Sequence, residues 1–180
     1  MKTKLNYLLM ASMLVAASIT GCKKDTPLPD VNEEELITTL RLKFTNGADV
    51  RTFTARDLDG DGGNAPVIEN ISLATNTTYT LEVDAILNET ASPADDIKAE
   101  VAEESDEHLI VYKPTGNLMV TVTDRDMNNL PIGLAGTAVT NAAGNGTLQV
   151  ILRHQPDGTK NGTEAPGSTD FNFTFPVTIQ

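Results

Sequence analysis

"YTLEVDAIL", residues 79–87, changes between apolar and polar residues at almost every step. Tyr79, Leu81, Val83, Ala85 and Leu87 fall on one side of an extended chain, and Thr80, Glu82 and Asp84 on the other. Successive Cβ atoms of a strand point to opposite faces, so this period of two marks a strand with one face in a core and one in water. The same pattern recurs on both sides of it. Leu36, Leu40, Leu42 and Phe44 share a face, with Arg41 and Lys43 opposite. Leu118, Val120 and Val122 repeat it, as do Leu148, Val150 and Leu152, and then Phe171, Phe173, Phe175, Val177 and Ile179. Shorter candidates lie at 50–56, 67–73, 108–113 and 131–140.

Turn-forming clusters separate these runs: "DLDGDGGNAP", "ATNTT", "KPTGN", "DRDMNN" and "NAAGNG". One helical segment is expected in "SPADDIKAEVAEE", with Ser92 as N-cap, Pro93 in the first turn, and Ile97 and Val101 four apart on one side. Pro176 inside the last strand places that strand at an edge there, since proline has no N–H for a ladder. The expected fold is all-β: a single Ig-like antiparallel β-sandwich over residues 35–180, with about eight or nine strands and one short helix.

The 180 residues carry 13 Lys+Arg against 25 Asp+Glu, a formal charge of −12. Such a surface repels nucleic acid, and no nucleic-acid partner is expected. It keeps a domain soluble or collects cations. With no Trp and only 4% aromatic residues, the chain lacks the stacking platform that glycan binders use.

The N-terminal end reads differently. Lys2 and Lys4 precede an apolar run from Tyr7 to Ala17, too short to span a bilayer of roughly 30 Å as a helix. Cys22 is the single cysteine of the chain, so no intramolecular disulfide forms. Ile19-Thr20-Gly21-Cys22 resembles the bacterial lipobox. That resemblance implies a lipoprotein signal peptide over 1–21, cleavage after Gly21, and acyl chains on Cys22. Residues 22–34 then read as the lipidated cysteine and a flexible tether, "KKDTPLPDVNEE", which holds the domain off the membrane. Lys23-Lys24-Asp25 resembles the charged export tag of Bacteroidota surface lipoproteins. The expected location is the outer membrane, lipid-anchored, facing the periplasm or the cell surface.

Two further resemblances concern the domain. The stretch 118–152 is similar to transthyretin-like or Cna-B-like β modules, in its strand, Asp-rich turn, "PIG", strand and "GNG" order. "NEEELITTLRLKF", "DLDGDGG", "DEHLIVY" and "LRHQPDGTKNG" together resemble a group of small Bacteroidota lipoproteins loosely labelled as a type 1 periplasmic binding fold superfamily. The fold in that label is a two-domain α/β architecture built from βαβ units. The period-two alternation here keeps the expectation at all-β.

Two constellations bear on chemistry. In "DLDGDGG", Asp57, Asp59 and Asp61 stand at i, i+2 and i+4 with Gly62 next, as in the first half of a calcium loop. The twelfth position is Ile68 and not Glu, and no helix pattern flanks the loop, so an EF-hand is not expected. A looser calcium site completed by Asn64 or Glu69 stands beside the plainer reading of a solvated acidic hairpin. The second constellation uses both histidines. "EESDEHLIVY" places Glu104, Asp106, Glu107 and His108 just before a strand, and "QVILRHQPD" places His154 at the end of another. Two strand-end imidazoles with a carboxylate suit zinc or copper if the two ends meet at one rim. If they do not meet, each is a strand-end histidine bonded to its own loop.

Enzyme templates are missing: no G-x-S-x-G elbow, H-E-x-x-H, P-loop or Rossmann fingerprint occurs. Asp124 and Asp126 read as turn formers. Catalysis is not expected. The expected function is that of a lipid-anchored, non-catalytic binding protein that captures a ligand or divalent metal for an outer-membrane transporter. The alternative is a structural or adhesion-type surface module that contacts other envelope proteins, with calcium for rigidity at most.

Overall fold

The computed structural model describes residues 36–60 and 63–180. The signal segment, Cys22, the tether and Asp61 lie outside the described residues. The alternating runs form strands: β1 (Thr39–Asn46), β2 (Asp49–Arg56), β5 (Thr78–Asn88), β7 (His108–Pro114), β8 (Leu118–Val122), β9 (Ala135–Thr140), β10 (Gly144–His154) and β11 (Ser168–Ile179). Three very short pairings add β3 (Val67–Ile68), β4 (Ile71–Leu73) and β6 (Asp95–Asp96). The chain is all-β apart from one helix, α1 (Ile97–Glu103).

Two sheets face each other. One runs in the order β3-β2-β1-β5-β9-β8, with β6 added to the end of β5; the other runs β4-β11-β10-β7. All pairs are antiparallel except β11 with β4. That parallel pairing begins at Val177, immediately after Pro176. Pro176 thus sits where β11 has β10 on one side and no ladder partner on the other among the described residues.

The core fills the space between the sheets. Leu40, Leu42, Phe44, Tyr79 and Leu81 come from the first sheet, and Ile110, Leu148, Val150 and Phe175 from the second; all are fully buried. Phe44 meets Phe53 and Tyr79 edge-on, with ring centroids 5.8 and 6.2 Å apart, the geometry favoured by ring quadrupoles. On the outer face of the first sheet the polar half of the alternation pairs across strands: Arg41 with Asp84, Lys43 with Glu82, and Arg56 with Glu89.

Three expectations need correction. The register between β1 and β5 shifts between Arg41 and Leu42, and Asp84 is the residue left over. The bulge reverses the alternation beyond it, so Ile86 is fully buried opposite Leu40 while Leu87 is only partly covered. Leu36, expected to share the core face of β1, is exposed. The helix starts later than Ser92, because Asp95 and Asp96 pair with β5 and cannot be helical as well. Asp96 takes the N-cap role, its carboxylate accepting the Ala99 N–H. Ile97 and Val101 are the buried side of α1 as read.

Among the described residues no helix is long and apolar enough to cross a membrane.

Candidate metal centre

Antiparallel register decides which strand ends meet. Leu148 of β10 lies opposite Pro114 of β7, Val150 opposite Tyr112, and Leu152 opposite Ile110. The last pair in the ladder is His154 with His108. Both histidines continue the core-facing parity of their strands, so both imidazoles sit at the rim of the sandwich on its inner side. The rings stack, with centroids 4.8 Å apart and planes 8° from parallel. The two strand ends left open by the sequence therefore meet.

The helix brings the third group. Glu104 caps the C-terminus of α1, and its carbonyl accepts the Glu107 N–H at 2.9 Å and the His108 Nδ1–H at 3.1 Å. A carbonyl can only accept, so His108 carries its proton on Nδ1 and presents a bare Nε2. Metal-bound histidines commonly have this backbone brace, because it fixes both tautomer and ring angle. Ligand atoms of Glu104, His108 and His154 all lie within 4.8 Å of one another, the one such cluster among the described residues. Donors around tetrahedral zinc stand roughly 3.3 Å apart at bond lengths of about 2.0–2.1 Å. Loading the site thus calls for side-chain rotations that unstack the rings and bring their in-plane lone pairs to one point.

The electrostatics fit a cation. Burial pushes His108 below the ordinary histidine range, opposed by its bond to the Glu104 carbonyl, so the ring is in its neutral, ligating form at neutral pH. Burial, with the nearby Glu100 and Glu107 carboxylates, raises Glu104 above the ordinary carboxylate range. A dication placed there reverses that effect. His154 Nε2 is buried and makes no hydrogen bond among the described residues; its nearest acid, Glu107 Oε2, is 3.5 Å away. A buried polar atom without a hydrogen bond is costly, and this one has the Glu107 carboxylate as its nearest acid.

Of the sequence-derived set, the structure gathers Glu104, His108 and His154, with Glu107 beside them. Asp106 is exposed and outside the cluster. The acidic loop behaves otherwise. Asp59 is exposed and accepts the backbone and side-chain N–H groups of Asn64 at 2.9 and 2.6 Å. Glu69 accepts the Thr54 N–H at 2.7 Å and so is tied to β2. Asp57 stands next to Asp59, raised by burial and by that neighbour, with one buried oxygen unpartnered. Asp57, Asp59 and Asn64 stand together while Glu69 is tied to β2, and Asp61, the middle of the expected calcium loop, lies outside the described residues. Asp57 instead helps line a cleft of about 730 Å³ with Leu36, Ile37, Phe171 and Phe173, to which none of the metal-cluster residues contributes.

Sequence reasoning missed what braces the rim. Beyond the last ladder pair, the Gln155 N–H donates to the Glu107 carbonyl at 2.6 Å, and the Gln155 side chain donates to Thr163 and Pro166 carbonyls. Lys160 is buried, its ammonium bonded to Asp126 at 2.8 Å and to the Ser105 carbonyl at 2.6 Å. Asp124 and Asp126 are turn formers as read: Asp124 accepts the N–H groups of Gly133, Leu134 and Ala135, and Asp126 those of Asn128 and Leu130.

Comparison of the chain with protein-family models, with curated proteins and with solved structures gives no match.

Proposed function

We propose that this chain is a lipoprotein of the outer membrane, anchored through Cys22, whose β-sandwich captures a divalent transition metal ion for an uptake system. Zinc(II) and copper(II) are the ions that suit two imidazoles and a carboxylate with no thiolate or thioether in the set. The observation that carries the reading is the gathering of Glu104, His154 and the braced imidazole of His108, with ligand atoms within 4.8 Å of one another and the buried His154 Nε2 making no hydrogen bond. Stacking accounts for His108, whose Nδ1 is satisfied, and the 3.5 Å approach of Glu107 to His154 Nε2 is longer than a hydrogen bond of good geometry. The anionic surface supports the reading too, since it raises the local concentration of cations.

The full chain, stripped with chelator and titrated with zinc and with copper by calorimetry, tests this. The expected result is one ion per chain, with affinity reduced at least about 100-fold in His108→Ala/His154→Ala. Failure of the wild type to bind either ion overturns the reading, and so does binding that the double variant keeps. A second reading, a protein-contacting surface module, draws on Leu36, Leu58 and Val67, which are exposed apolar residues at or near the cleft. It predicts no stoichiometric transition-metal binding.

A further inference from the structure

The most deeply buried ion pair among the described residues has no part in the site described so far. Lys160 and Asp126 have side-chain exposures of 1% and 0%. Replacing such a pair by apolar residues of similar volume is commonly neutral or stabilising, so its presence is weak ground for a role in stability alone. Its placement suggests another role.

The two histidines form the final rung of the β7–β10 ladder, and a terminal rung frays unless something beyond it holds the strands together. Lys160 lies in the loop that leaves β10 directly after His154. Its ammonium reaches back to the carbonyl of Ser105, the residue after Glu104 and three before His108. Its other partner, Asp126, is itself fixed by the backbone N–H groups of Asn128 and Leu130 in the turn between β8 and β9. One ammonium thus joins the loop following one histidine to the turn preceding the other, and ties both to a rigid post.

We propose that Lys160 is a positioning residue for the histidine pair: clamped by Asp126 and Ser105, it holds His108, His154 and Glu104 in the arrangement that receives the ion. This rests on the metal reading above, but the stacked rings can be observed without metal.

The test compares the full chain with a Lys160→Met/Asp126→Leu variant, which removes both charges and leaves no buried ion unpaired. Imidazole nitrogen and ring-proton NMR signals are recorded metal-free, followed by zinc titration. The clamp predicts that core methyl signals persist while the two imidazoles lose their mutual ring-current shifts, and that zinc affinity falls about 10–100-fold, as for other outer-shell losses. A folded variant with wild-type imidazole signals and wild-type affinity overturns the proposal. Should the double variant not fold, Asp126→Asn keeps an acceptor for the turn and removes only the charge facing Lys160. It is expected to move the imidazole signals in the same direction, and unchanged signals again overturn the clamp. Loss of ring shifts in a variant whose parent binds no zinc upholds the clamp and overturns the metal reading instead.

Discussion

His154 and His108 show how little a single side chain reveals by itself. Each follows the parity of its strand, which the sequence displays, but their contact depends on β7 and β10 being neighbours in one register. No local pattern encodes that. Lys160 was less legible still. In "PDGTKNG" it reads as a solvated loop lysine, and its burial is created by Asp126, 34 positions away. The pair has a measurable acid signature. Burial alone would raise the Asp126 carboxyl, but the Lys160 ammonium and the N–H groups of Leu130 and Asn128 outweigh it and hold the group below its ordinary value. A depressed carboxylate contributes stability that is complete above its unfolded value of about 3.9 and is lost as pH falls through the lower folded value. Urea unfolding between pH 6 and pH 2.5 should therefore show a shallower acid loss in Lys160→Met/Asp126→Leu than in the wild type. Lys160→Met alone leaves a buried carboxylate uncompensated and is expected to cost about 3–5 kcal/mol at neutral pH.

At the scale of elements, the alternation of 79–87 identified the central strand but not the bulge at Asp84, which exchanges Leu87 for Ile86 in the core. A bulge leaves no mark in a hydrophobic pattern until the partner strand is known. The helix start was misplaced for a similar reason: Asp95 and Asp96 are good first-turn residues, and only their pairing with β5 withdraws them. The return from β10 to β11 depends on Gly167. Its φ is +77°, and a Cβ there would stand 1.8 Å from the His154 carbonyl oxygen. Gly158, in the same loop, has a φ of +71° with nothing within 4 Å of a Cβ. Gly158→Ala is expected to cost about 1–2 kcal/mol from backbone strain alone. Gly167→Ala should cost distinctly more and also displace His154. Equilibrium unfolding of both variants checks this, and equal losses would contradict the close approach.

For the whole molecule, the sandwich was legible because alternation and turn clusters together leave few other ways to bury one face of each strand. The metal centre was legible only as a condition on two strand ends. Their meeting would link the proposed ion binding to folding in one equilibrium. On the proposed reading, an ion held by His108, His154 and Glu104 would stabilise the native state by about 2.7 kcal/mol at a hundredfold excess over Kd. For a domain of this size that raises Tm by roughly 5–10 °C. Thermal scans with zinc and with magnesium should separate a specific ion effect from simple screening of the net charge of −12.

The most direct measurement is X-ray absorption at the metal edge of the full chain loaded with one equivalent of zinc. The account predicts a shell of nitrogen and oxygen donors near 2.0–2.2 Å containing two imidazoles, with the imidazole scattering removed in His108→Ala/His154→Ala. A shell without imidazole, or one identical in the double variant, would contradict it.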